Sequence, residues 1–141
     1  MPGATRSIVI DVPPEKLFDV IVDYDRYPEF LHEVKEARSK ERKGNAVDVD
    51  YVADIVKRIR YTLHHVEERP RAVRWTFVKG ELMRDNHGSW TLEATHEGKT
   101  RATYTIEVGV GPLVPRSIVN MLVDQSLPKL LEAFKKRAER R

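Results

Sequence analysis

The sequence predicts an α+β domain in which a seven-stranded antiparallel sheet curls around one long C-terminal helix. Three observations lead there. Two short helical patterns follow the first strand and meet at the corner "DYDRYPEFL", residues 23–31. Six strand-like runs come next, five of them with period-two alternation, separated only by short turns. From Arg116 to about Arg140 the chain then carries one wide apolar stripe at helical spacing.

Taken in order, "ATRSIVIDV" alternates at Ile8 and Ile10 and reads as the first strand. A helix starts at "PPEKLFDVIVD": Pro14 suits a first turn, where its missing N–H costs nothing, and Glu15 lies near the positive pole. Leu17, Phe18, Ile21 and Val22 form its apolar stripe. Asp23 and Asp25 read as turn and cap residues. Pro28 cannot continue this helix but can open another, so "YPEFL" reads as a short second helix anchored by Tyr27 and Phe30.

The polar run "EVKEARSKERK" reads as an edge strand, where lysines discourage further pairing. The next five strands place Val47, Val49, Tyr51 and Ala53, then Ile59, Tyr61 and Leu63, then Val73, Trp75 and Phe77, on one face. Trp90, Leu92 and Ala94 follow, and then Ala102, Tyr104, Ile106 and Val108. In the terminal helix Val119, Leu122, Val123, Leu127, Leu130, Leu131 and Phe134 face the core, and Pro128 predicts a kink. One helix fills a wide concave sheet unevenly, so an internal cavity is expected.

Composition bounds the function. The 141 residues, 40% hydrophobic and 33% charged, fit a single globular domain spanning 1–141. Cysteine is absent, which removes disulfides and thiolate chemistry and fits a cytoplasmic location. The first residues lack a signal-peptide pattern, and no apolar run approaches the 18 to 20 residues, roughly, of a membrane span. Residues 135–141 carry five basic residues and one acidic, leaving 20 basic against 21 acidic in the rest of the chain. A body without charge bias argues against a nucleic-acid face, so RNA or a ribosome is disfavoured as partner. The basic end reads as a solvated helix terminus, dispensable from Arg137 onward for binding small ligands, with peripheral contact to an anionic membrane as a minority reading.

The order of elements, with "DYDRYPEFL" at the corner and "LPKLLEAFKKRAE" closing the chain, resembles the START-like (SRPBCC, Bet v 1-like) superfamily with its helix-grip fold. Within it the sequence is most similar to the polyketide cyclase/dehydrase and lipid-transport group, which includes Coq10-like START domains. Where many relatives continue the corner with proline and an aromatic residue, this chain has His32-Glu33-Val34. The resemblance implies a cavity for a hydrophobic or amphipathic small molecule, and no shared catalytic machine.

Strand parity nominates the walls of such a cavity: Tyr51, Tyr61, Trp75, Phe77, Trp90 and Tyr104, with His65 and Asn86 in the same register and Leu122 from the helix. His64 and His65 are adjacent on one strand and point to opposite faces, so they cannot clasp one metal, and no cofactor is expected. Asp85, Asn86 and His87 read as a polar turn or bulge before a catalytic cluster. Arg58, Arg60, Arg74 and Arg101 face outward, where acidic neighbours across the strands balance them.

Three functions remain open. The first is binding or transfer of a lipid, quinone or polyketide-like compound, oriented by His65, Asn86 or a tyrosine. An aromatase/cyclase-type enzyme is the second, with an inward His or Tyr moving protons. The third is a ribosome-associated interaction protein, suggested by the toxin branch of the superfamily.

Overall fold

The structure is a computed structural model that describes residues 3–54 and 57–140, with the side chains of Leu122 and Val123 outside that description. Strand β1 (Gly3–Ile10) is followed by helix α1 (Pro14–Ile21) and a 3₁₀ segment (Tyr24–Glu29). Six strands come next: β2 (Val34–Lys43), β3 (Ala46–Asp54), β4 (Arg58–Glu68), β5 (Ala72–Gly80), β6 (Met83–Ala94) and β7 (Thr100–Val110). The chain ends in α2 (Arg116–Met121), a π turn (Leu122–Ser126) and α3 (Leu127–Glu139). The sheet order is β1-β7-β6-β5-β4-β3-β2, with every neighbouring pair antiparallel. The expected helix-grip architecture is therefore present, with the lysine-rich β2 at an edge.

The corner differs in detail from its expectation. Pro28 lies inside the 3₁₀ segment and opens no new α-helix, and the Asp23 side chain caps nothing. The reason is aromatic spacing. Three residues per turn bring Tyr24, Tyr27 and Phe30 onto one face, with successive ring centroids 5.7 and 5.9 Å apart. Tyr24 and Tyr27 are buried, while Phe30 is only half-buried. Tyr27 donates to the Ile21 carbonyl at 2.5 Å, and Asp25 accepts the Ser39 amide at 2.8 Å, fastening the corner to β2.

Pro128 occupies the first turn of α3, where its absent N–H has no cost. The discontinuity falls just before it, where the helix widens to a π turn. The helix end is wired into the fold, contrary to the solvated terminus expected. Arg137 donates to Glu29 at 2.6 Å and covers the Phe30 ring, Ala138 is fully buried, and Glu139 accepts the Asp11 amide at 2.9 Å. Arg137, Ala138 and Glu139 thus tie α3 to the corner and to the loop after β1.

Two further details concern β5 and β6. Of the turn or bulge expected at Asp85, Asn86 and His87, the bulge is what the structure has: all three belong to β6, with a register irregularity between Met83 and Asp85. Ala94, at the strand's end, is exposed. β5 and β6 pair only over Ala72–Trp75 against Gly88–Thr91, so this hairpin is splayed toward its tip.

Candidate ligand cavity

A cavity of about 250 Å³ lies between the concave face of the sheet and the C-terminal helical run. Seven of the nine residues nominated by parity line it: Tyr51, Tyr61, His65, Trp75, Asn86, Trp90 and Tyr104. Phe77 does not. It sits where the β4–β5 register shifts, and its ring edge lies against Gly80, behind Tyr61. The side chain of Leu122 falls outside the described residues.

Parity missed the walls that do not come from strand centres. α1 and the corner contribute Ile21, Tyr27 and Leu31, the splayed β5–β6 hairpin contributes Leu82 and Met83, and the C-terminal helical run contributes Val119, Ser126, Leu127, Leu130 and Phe134. Spacing by three at Tyr24, Tyr27 and Phe30 is the signal that points to the corner's inward face. Nothing in the local sequence marks the splay.

Aromatic rings tie the walls together across layers. Trp90 meets Tyr104 at 4.9 Å and Phe134 at 5.0 Å, and Tyr27 meets Phe134 at 5.5 Å, in edge-to-face arrangements. Trp75 lies over the sheet because Gly88 has no side chain. A methyl group there would come 2.6 Å from the Trp75 ring and 2.1 Å from the Thr105 carbonyl oxygen.

Few polar groups enter this space. His65 is buried, its ring covered by Tyr24 at 4.4 Å, and its Nε2 shares a 2.9 Å hydrogen bond with the Tyr51 hydroxyl. Its Nδ1 is sealed from water and has no partner among the described residues. Burial, reinforced by neighbouring His64, lowers the His65 pKa to about 3, so the ring is neutral at physiological pH. The Trp75 indole donates to Asn86 Oδ1 at 3.0 Å, which turns the amide nitrogen toward Met83 Sδ, 3.8 Å away. Burial raises the pKa of Tyr27, Tyr51, Tyr61 and Tyr104, and all four remain neutral phenols. Glu33 is the single carboxylate among the lining residues, and it is exposed at the rim.

His64, His87, Arg58 and Arg74 have acidic partners away from the cavity. His64 pairs with Asp48 at 2.6 Å, and His87 bridges Asp85 and Glu107 at 2.7 and 2.8 Å on the outer face. Arg58 pairs with Asp54 at 2.8 Å, and Arg74 pairs with Glu68. No described helix is long and apolar enough to cross a membrane.

This site can enclose an apolar body and offer it a few directed hydrogen bonds. It has poor means to move protons, because its histidine is a weak base and its phenols are weak acids.

Comparison with known proteins agrees with the fold. The family model described as polyketide cyclase / dehydrase and lipid transport matches residues 1–139. The ribosome association toxin RatA of Pseudomonas aeruginosa is 26% identical over 136 residues, covering 95% of this chain and 93% of that protein. The Zhui aromatase/cyclase from Streptomyces sp. R1128 superposes with a TM-score of 0.90 at 13% identity, covering 99% of this chain and 94% of that one. A STAR-related lipid transfer protein from Xanthomonas axonopodis superposes with a TM-score of 0.84 at 14% identity, covering 97% of this chain and 85% of that one.

Proposed function

We propose, from the premise that this chain belongs to the polyketide cyclase/dehydrase and lipid-transport family, that it binds a hydrophobic small molecule and does not transform it. The observation that carries this reading is the cavity of about 250 Å³, walled by aromatic and aliphatic side chains and lacking a charged group below its rim. Removing apolar ligand surface from water, at roughly 25 cal/mol per Å², drives binding. The ligand classes in view are a lipid, a quinone or a polyketide-like compound, held in a cytoplasmic protein.

An aromatase/cyclase activity is the rival within the same cavity, supported by the likeness to the Streptomyces fold. It requires a group that exchanges protons near neutrality. His65, with its pKa near 3, is poorly suited to that role. A role in a macromolecular complex is a second reading, favoured by the likeness to RatA. Salt-sensitive co-sedimentation with ribosomes is its test, and absence from the ribosomal pellet at low salt removes it.

Native mass spectrometry of the purified protein, followed by denaturing extraction, tests the first reading. An apolar compound released on denaturation is the expected result. A protein that carries nothing and binds no apolar probe contradicts it.

A further inference from the structure

The bulge in β6 decides where one arginine goes. Met83 pairs with Val110 and Asp85 pairs with Gly109, so Arg84 is the extra residue between them. A bulge re-aims its added side chain away from the strand's regular alternation. Here the Arg84 side chain lies beside the loop that follows β7: a methyl group on Gly111 would stand 4.0 Å from its Nε. Leu82, two residues earlier, holds a φ of 64°, and its carbonyl accepts the Gly111 amide at 3.1 Å. The β5–β6 tip and the loop after β7 are thus fastened together.

An outer recess of about 390 Å³ opens at this place, lined by Arg84 and Asp85 of β6, by Val110 and Val114, and by Arg116 and Val119 of α2. Val110, Val114 and Val119 also line the ligand cavity, so the same valines wall both spaces. The Asp85 carboxylate is committed to His87 at 2.7 Å. Arg84 and Arg116 have no ion-pair or hydrogen-bond partner among the described residues. Exposed guanidinium groups give little to an ion that arrives alone from water. They give more to one carried on an apolar body already held next door, because that tether raises its local concentration.

We infer that this recess is a head-group subsite: the cavity takes the apolar body of an acidic amphiphile, and Arg84 and Arg116 receive its carboxylate or phosphate. The inference rests on the ligand-binding reading above and names the polar end of that ligand. A guanidinium fork matches the paired oxygens of either anion. The placement also agrees with a cavity that holds no charge below its rim, since the ionic end stays outside the apolar space and is not buried unpaired.

The test is isothermal calorimetry with decanoate, decyl phosphate, 1-decanol and inorganic phosphate, each amphiphile kept below its micellar concentration. Wild type is compared with the double variant Arg84→Gln/Arg116→Gln, whose two sites are exposed, so the core is left intact. Wild type is expected to bind at least one anionic amphiphile about tenfold tighter than decanol, and the tighter of the two names the head group. That preference is expected to be lost in the variant and to shrink at high salt. Inorganic phosphate, which lacks the apolar body, is expected to bind far more weakly than decyl phosphate. Three results overturn the inference and leave the ligand-binding reading standing: decanol bound as tightly as both anions, an anion preference that the variant retains, or inorganic phosphate bound as well as decyl phosphate. Failure of all three amphiphiles to bind overturns that reading and the inference with it.

Discussion

The two ends of the sheet are built from the same alternation and end up differently. At the end where β7 begins, the inward residues Thr100 and Ala102 are fully buried, as are Ile10 and the α1 residues Leu17, Phe18 and Ile21. Further along the same strand Tyr104 is still buried, but Ile106, Val108 and Val110 are only half-buried although they share its parity. The first end is plugged by α1 and by α3. The second is covered by the six-residue α2, a π turn, and the loop that carries Leu113, which is 93% exposed. Period two therefore decides which face turns inward, and the elements laid across that face decide whether it becomes core or cavity.

Truncations at the two ends give the sharpest contrast. Phe18→Ala, in the plugged end, is expected to cost about 3 to 5 kcal/mol in urea melts, as transfer and cavity terms add. Val108→Ala, in the hollow end, enlarges existing space and is expected to cost about 1 kcal/mol or less. Equal costs would erase the distinction between core and cavity wall.

The acid limb of stability tests the buried histidine. Below its unfolded pKa of about 6.5 the unfolded chain takes up a proton that the folded ring refuses down to about pH 3. Stability attributable to His65 therefore falls as the pH drops through this window, by about 1.4 kcal/mol per pH unit at most. His65→Leu is expected to flatten the slope relative to wild type between pH 6.5 and 3, and parallel curves would show that the ring is accessible to solvent and protons.

The parts of this contrast that the sequence displayed are those set by local chemistry. Alternation around Tyr51, Tyr61, Trp75, Trp90 and Tyr104 placed them on the concave face, and His65 and Asn86 followed by register. Phe77 obeys the same parity but misses the cavity, because a register shift with β4 and the loss of pairing with β6 are properties of strand partners. The π turn before Pro128 likewise reflects how the helical run meets the sheet, although the proline announced a discontinuity. The seam at Arg137 was hidden for a similar reason, since Glu29 and Phe30 lie more than 100 residues away.

That seam supplies the smallest expected effect. Arg137→Ala removes an ion pair with Glu29 and cover over Phe30, and is expected to lower stability by about 0.5 to 1 kcal/mol, less at high salt. Deleting residues 137–141 also removes buried Ala138 and the Glu139 contact to Asp11, and is expected to cost more. A truncation as stable as wild type would return the helix end to solvent. Its effect on anionic vesicles, measured at low salt, separates the seam from any membrane role: the proposed peripheral contact predicts weaker vesicle binding.

The central claim is that the hollow end receives a ligand. Filling it while leaving the plugged end untouched puts that claim to its most direct test, through Val108→Phe, which adds an aromatic ring to the cavity wall. Titration of the neutral fluorophore N-phenyl-1-naphthylamine into both proteins is the measurement. Wild type is expected to bind one equivalent saturably, and the filled variant, folded and of equal or greater stability, is expected to bind at least tenfold more weakly. Identical binding by the two proteins, or no saturable binding to wild type, would contradict the account.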